Sequence, residues 1–263
     1  MGSIRVLICG ACGKVGREIV KMVVSQDDMR LVGAVDKTCA GQDIGQLALG
    51  NQVGLAVEDS LEAALAASSP DVMVDFTTPQ AVGHNALAAL SRDVRLVIGT
   101  TGLSSAQLEE IRGLCASKGL GAVVAPNFAI GAVLMMHFAG IAARHLPYAE
   151  IVELHHDGKL DAPSGTALKT AEMIAQARSE RVAPPGEGTP SRGGWRDGVP
   201  IHSVRLPGLV AHQEVIFGGL EQTLTIRHDS LGRGSFMPGV ALAIRKVGQL
   251  DHLVYGLENL LDL

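Results

Sequence analysis

Short runs of β-branched and aliphatic residues alternate with longer helix-forming stretches through the first half of the chain, and no other property of the sequence narrows the fold so far. The alternation runs Ile4 to Cys9 then Lys14 to Ser25; Leu31 to Val35; Val72 to Phe76 then Ala81 to Ser91; Val94 to Ile98 then Ser105 to Lys118; Gly121 to Val124 then Ile130 to His145. Strands apolar on both faces and separated by helices predict a parallel sheet covered on both sides, a Rossmann-like doubly wound α/β lobe. After Leu146 the pattern changes to a strand at Glu150 to Leu154, a helix at Ser164 to Ala177, and strand-like runs at Ile201 to Arg205, Glu214 to Ile216 and Thr223 to Arg227. These predict a second, α+β lobe built on a mixed open sheet. The expected division is 1–128 for the first lobe, 129–237 for the second, and a helical segment at 238–263 that returns to the first.

Composition removes whole classes of function. With 22 Lys+Arg against 27 Asp+Glu the formal charge is −5, and no local basic run exists to gain from counterion release on a phosphate backbone, so nucleic acid is not an expected partner. Apolar residues at 47% against 19% charged support a packed core rather than a disordered chain. The most apolar stretch, Ile130 to Leu146, is interrupted by His137, Gly140 and Arg144, short of the roughly 20 apolar residues that span a bilayer. It reads as a core helix, and no membrane partner is expected. The opening MGSIRVLICG enters a strand by residue 4 without the pattern of an export signal, so the cytoplasm is the expected location. Cys9, Cys12, Cys39 and Cys115 are expected as free thiols of a reducing compartment; the single Cys9–Cys12 CxxC is read neither as a redox pair nor as half of a zinc site, and no metal is expected. Residues 178–200, rich in Pro, Gly and charge, form a long loop holding the only tryptophan, Trp195.

Gly10, Gly13 and Gly16 stand in CGACGKVGREIV, directly after an apolar strand and at the start of a helix. In that context Gly10 permits the tight turn, Gly13 lets backbone approach a pyrophosphate, Gly16 lets helix and strand pack closely, and the helix N-terminus favours the negative charge. Asp36 ends the second strand, where a carboxylate accepts from a ribose 2′-OH, as NADH requires. Lys37 beside it, with Lys14 and Arg17 near the turn, could accommodate the 2′-phosphate of NADPH. Two further strand ends, Gly99-Thr100-Thr101-Gly102 and Ala125-Pro126-Asn127-Phe128, are expected to face the same crevice on the nicotinamide side, and Asp75 to Pro79 either joins them or forms a helix-capping turn.

The densest ionisable cluster beside an apolar strand is ELHHDGKLDAPSGT at 153–166. His155 and His156 are adjacent, so on a regular strand only one reaches a given ligand. Lys159 lies within reach, and Ser164 is a candidate N-cap whose helix offers the N–H groups of Gly165 and Thr166. Together these groups suit binding and protonation of an anionic substrate.

The block E153-L-H-H-D-G-K-L-D-A-P-S-G-T-A167 resembles the hallmark motif of the 4-hydroxy-tetrahydrodipicolinate (dihydrodipicolinate) reductase family. Supporting motifs follow in order: GACGKVG at 10–16, VDFTTP at 74–79, GTTG at 99–102, APNFAIG at 125–131 and SLGRGSF at 230–236, so the resemblance covers nearly the whole chain. It implies an NAD(P)H-dependent oxidoreductase of lysine biosynthesis by the diaminopimelate route, which reduces a cyclic dicarboxylate and assembles as a homotetramer through its second lobe. His155 then matches the family's proton donor/acceptor and Lys159 a proton donor, while His156, Gly165 and Thr166 match substrate-binding positions. Nucleotide contacts fall on Gly10, Ala11, Cys12, Gly13, Lys14, Val15, Asp36 with its neighbour Lys37, Gly99, Thr100, Thr101, Ala125, Pro126, Asn127 and Phe128. Asp36-Lys37 departs from the Glu-Arg pair of some members, which leaves NADH and NADPH both open. Arg233, in a loop of the second lobe, is a further candidate for substrate contact. The rival readings are another two-lobed dehydrogenase using a Cys115 thiol, and a regulator that binds NAD(P) without turnover.

Overall fold

A computed structural model describes residues 2–178, 189–261 and 263, so residues 179–188 of the Pro- and Gly-rich stretch lie outside the described residues, while Gly194–Arg196, with Trp195, form a strand where a loop was expected. The chain forms two compact units, residues 1–128 with 236–263, and residues 129–235.

The first unit runs β1 (Ile4–Cys9), α1 (Lys14–Val24), β2 (Met29–Val35), α2 (Ile44–Leu49), α3 (Leu61–Ser68), β3 (Val72–Asp75), α4 (Pro79–Ser91), β4 (Arg95–Ile98), α5 (Ser105–Lys118) and β5 (Ala122–Val124). Every residue of β3 and β5 is buried, the signature of strands covered on both faces. Helix α1 buries Ile19, Val20 and Val23 while Arg17 and Lys21 stay outside, which is what an apolar stripe at helical spacing demands. Helix α5 starts at a reciprocal cap, with Ser104 Oγ accepting from Gln107 N at 3.3 Å and Gln107 Oε1 accepting from Ser104 N at 2.9 Å, and it ends at Gly119 with φ 64°.

The last segment is not helical throughout, as its composition had suggested. After α6 (Ile130–Ala143) and α7 (Gly165–Ala177) of the second unit, α8 (Met237–Val247) stops at Gly248, and the run Leu253–Tyr255 becomes a strand paired in parallel with β5, Leu253 against Ala122. Three apolar residues are too few to show a period, so only the open sheet edge decides their conformation. Gly239 lets α8 lie against the Phe128 carbonyl, where a Cβ would have no room, and Arg245 bonds Asp28 at 2.7 Å. All six strands of the sheet are parallel in the spatial order 2-1-3-4-5 with the returning strand outermost beyond β5. The order reverses between β1 and β3, the position where doubly wound sheets open a crevice at their carboxyl ends.

The second unit contains α6 (Ile130–Ala143), β6 (Tyr148–His155), α7 (Gly165–Ala177), β7 (Gly194–Arg196), β8 (Val199–Arg205), β9 (Ala211–Gly219) and β10 (Gln222–Ser230). Its sheet order is β10-β9-β6-β8-β7, with β6 parallel to β8 and the other pairs antiparallel, the expected mixed sheet. Ala149, Ile151 and Glu153 of β6 and Gln213, Val215 and Phe217 of β9 are buried, so period-two alternation sets one face inward, with α6 and α7 packed on the sheet. β10 is longer than its apolar positions show because one face of it, Thr223, Thr225, Arg227 and Asp229, is exposed and polar.

Candidate active site

Gly10, at the end of β1, has φ 78° and sits where an added Cβ would strike the backbone of Phe76. A Cβ on Gly16 would fall on Gly10 O and within 2.9 Å of Ala11 Cα, so this glycine sets how closely α1 approaches the turn. Gly13 differs: an added Cβ meets only Gly10 O at 3.2 Å, and its outer side is open. One glycine shapes the turn, one seats the helix and one leaves backbone accessible, the division that pyrophosphate binding at a helix N-terminus requires.

A cavity of about 860 Å³ adjoins the turn, lined among others by Gly10, Gly13, Asp36, Lys37, Thr77 and His84. Asp36 Oδ2 accepts from Cys12 N at 3.0 Å, and Oδ1 from Thr38 N at 2.9 Å and Thr38 Oγ1 at 2.7 Å, so the turn and the end of β2 share one fixed carboxylate with a lone pair of Oδ2 left for a ligand hydroxyl. Apolar Val35, Leu61 and Ala81 also line it, a wall suited to a nucleobase. These residues fit the adenosine half of a dinucleotide. Lys14 and Lys37 are exposed beside it, Ala11 is buried and Val15 half-buried.

The turns at 99–101 and 125–128 follow β4 and β5 but do not line this cavity. Asp75, wholly buried, ties the first of these turns to the end of β3: it accepts from Thr77 Oγ1 and Thr100 Oγ1 at 2.7 Å each, Asn85 Nδ2 at 2.8 Å and Thr77 N at 3.1 Å. The Thr100 hydroxyl, a candidate nucleotide contact, is thus committed to Asp75. Phe76 covers Gly99 and packs at 5.6 Å on the ring of Phe128, itself buried with Ala125; Pro126 and Thr101 are exposed and Asn127 half-buried. Sequence reading left Asp75 between two explanations; the Thr residues two and 25 positions on are the signal that it gathers hydroxyls.

The cysteines depart from the expectation of four free thiols. Cys12 and Cys39 form a disulfide, with their Cα atoms 6.6 Å apart, while Cys9 and Cys115 are buried and free. Cys9 ends a buried strand, whereas Cys12 lies on the turn facing the loop after β2, so fold rather than chain proximity chooses the partner. Denatured, unreduced protein is expected to take up two alkyl groups by intact mass and four after reduction; four without reductant would show the pair open. Burial pushes the Cys115 thiol up to about 11, which disqualifies it as a nucleophile at neutral pH.

In the second unit His155 closes β6 and has the same parity as Ile151 and Glu153. Its Nδ1 bonds Glu153 Oε2. Glu153 is wholly buried and also accepts from Arg205 NH1 at 2.9 Å, Arg205 NH2 at 2.8 Å and Ser164 N at 3.2 Å. Burial raises the Glu153 carboxyl, but hydrogen bonds from His155, Arg205 and Ser203 outweigh it and bring it down to about 2. Arg205 reaches on to Asp161 O at 2.7 Å, tying the loop to the strand. Lys159 Nζ bonds both carboxylate oxygens of Asp161, at 2.7 and 2.9 Å, which lowers the Asp161 carboxyl. Ser164 caps α7, its Oγ accepting from Ala167 N at 3.2 Å, with Gly165 exposed and Thr166 half-buried in the first turn. His156 is exposed at the turn, and Arg233 is exposed in another loop of this unit. Glu153 and Arg205 were not singled out by sequence; the i, i+2 spacing of Glu153 and His155 on a strand was the available signal for the first.

A parallel sheet with this glycine turn, an acid ending β2 and a cavity beside both defines the class, a dinucleotide-binding oxidoreductase. Residues 4–128 match the family described as "Dihydrodipicolinate reductase, N-terminus" and residues 131–261 the one described as "Dihydrodipicolinate reductase, C-terminus". The chain belongs to the dihydrodipicolinate reductase family. It is 55% identical over 271 residues to 4-hydroxy-tetrahydrodipicolinate reductase of Desulfitobacterium hafniense (strain DSM 10664 / DCB-2), covering 100% of both chains. It is 52% identical over 266 residues to that of Moorella thermoacetica, covering 100% of this chain and 99% of the relative. A dipicolinate-bound dihydrodipicolinate reductase from Paenisporosarcina sp. TG-14 superposes with TM-score 0.87 at 48% identity, over 98% of this chain and 100% of that one. Scyllo-inositol dehydrogenase of Lactobacillus casei, at 11% identity and TM-score 0.62 over 94% of this chain and 88% of its own, shares the fold.

Proposed function

We propose that the protein reduces 4-hydroxy-tetrahydrodipicolinate to tetrahydrodipicolinate with NADH or NADPH, in lysine biosynthesis by the diaminopimelate route. The observation that carries this reading is the folding of the 153–167 block into one constellation: a histidine fixed by a buried acid, a lysine beside it and a capped helix N-terminus. When bound, the reduced nicotinamide supplies a hydride. The chain's own residues do the rest. Gly10 to Val15 cradle the pyrophosphate at the start of α1, and Asp36 accepts from the adenosine ribose while Lys37 answers a 2′-phosphate. His155 delivers a proton through the ring nitrogen not bonded to Glu153. Lys159, exchanging Asp161 for the substrate, supplies positive charge and a second proton source. His156 and the N–H groups of Gly165 and Thr166 receive a carboxylate. We further infer a cytoplasmic homotetramer joined through the second unit.

Calorimetric titration with NADH and NADPH side by side, followed by a substrate-dependent assay of nucleotide oxidation, tests this. Both nucleotides are expected to bind with Kd values within about tenfold, because Asp36 and Lys37 offer each ribose form a partner and tenfold is only about 1.4 kcal/mol. Oxidation should require the cyclic dicarboxylate. Binding without turnover would leave the regulator reading, and no binding of either nucleotide would end both.

A further inference from the structure

We propose that Glu153 is a positioning residue for this reaction: clamped by Arg205, its carboxylate holds the Nδ1–H of His155 and so presents Nε2 to the substrate. The inference rests on the reading of His155 as the proton donor. A carboxylate only accepts, so the hydrogen it shares with the ring sits on Nδ1, whichever charge state the ring adopts. The carboxylate form is secured from three sides. Arg205 donates to both oxygens, Ser164 N adds a third bond, and the group is wholly buried, away from competing water. Arg205 is the partner of His155 across β6 and β8, so the clamp and the ring occupy neighbouring strand ends. The same guanidinium holds Asp161 O, fixing the loop that carries Lys159. One buried acid and one arginine thus place both proton-transfer groups.

A carboxylate on Nδ1 leaves Nε2 as the nitrogen offered to the substrate. Removing the Glu153 charge while keeping the shape, in Glu153→Gln, is expected to lower kcat roughly tenfold or more, with nucleotide Kd unchanged. Glu153→Asp, which keeps the charge, should recover part of the lost kcat. Wild-type turnover in His155→Ala would remove the proton donor itself. Loss of turnover in His155→Ala with a wild-type kcat in Glu153→Gln would remove only the positioning role. Because Glu153→Gln strands the Arg205 charge, the unmodified enzyme supplies a fold-independent arm. Nitrogen-15 spectra of histidine-labelled protein, with the His155 signals assigned by their loss in His155→Ala, should show the neutral ring protonated at Nδ1. A neutral ring protonated at Nε2 would overturn the proposal.

Discussion

Replacing His155 or Lys159 with alanine is expected to lower turnover by roughly 10²-fold or more, the usual worth of a positioned acid or base, while nucleotide affinity barely changes. The separation follows from where the groups lie: both side chains belong to the second unit, whereas Gly10, Asp36 and the cavity beside them belong to the first. In the proposed reaction His155 would act through the ring nitrogen that Glu153 does not engage, and no neighbouring group in the 153–167 block repeats that arrangement, since His156 is exposed at the turn. Lys159 stands as an ammonium held by two oxygens of Asp161, so its alanine variant loses both the charge offered to a dicarboxylate and a proton source. Steady-state kcat with a parallel nucleotide titration checks both. Unchanged turnover in the two variants would strip these residues of their roles.

Gly16→Val and Gly13→Ala are expected to fail in different ways. At Gly16 any Cβ collides with backbone, Gly10 O and Ala11 Cα, and backbone cannot swing aside as a long side chain would. Helix α1 must move off the turn, at a cost of about 3 kcal/mol or more, which for a protein this size lowers Tm by roughly 6 °C or more. Nucleotide binding should vanish with it. At Gly13 the backbone is extended, φ −65° and ψ 164°, and a methyl meets only one oxygen at 3.2 Å, so the fold should survive with nearly its normal Tm. The methyl instead occupies the approach of the pyrophosphate, and Kd should rise about tenfold or more, about 1.4 kcal/mol. Differential scanning fluorimetry and calorimetry separate the two outcomes. A Gly13→Ala protein that binds nucleotide as tightly as the parent would refute the assignment of this turn.

Much of the first unit was legible because its strands are buried on both faces and its turns are marked by glycine and capping residues: β1 and α5 span the residues that pattern and capping predict. The short helices α2 and α3 fell between strands without enough length to show a stripe, and the strand at 253–255 was hidden in a segment rich in helix formers. For that strand the deciding partner, β5, is distant in sequence. The same holds at the site. His155, Lys159 and the α7 N-terminus lie within one stretch of chain, so composition revealed them together. Arg205 comes from another strand, and Cys39 reaches Cys12 only because two loops meet. Residues that bear the chemistry were visible; those that hold them in place were visible only where the strand period puts them two positions away.

The outermost strand of the parallel sheet is encoded after the entire second unit. During synthesis β1 to β5 leave the ribosome first, and β5 waits with its hydrogen-bonding edge bare until residues 253–255 arrive to cover it. Gly256 N then donates to Val124 O at 2.8 Å as the final stitch. The nucleotide-binding half is therefore the first to begin folding and the last to finish, and the inserted half has already been translated in full when it closes.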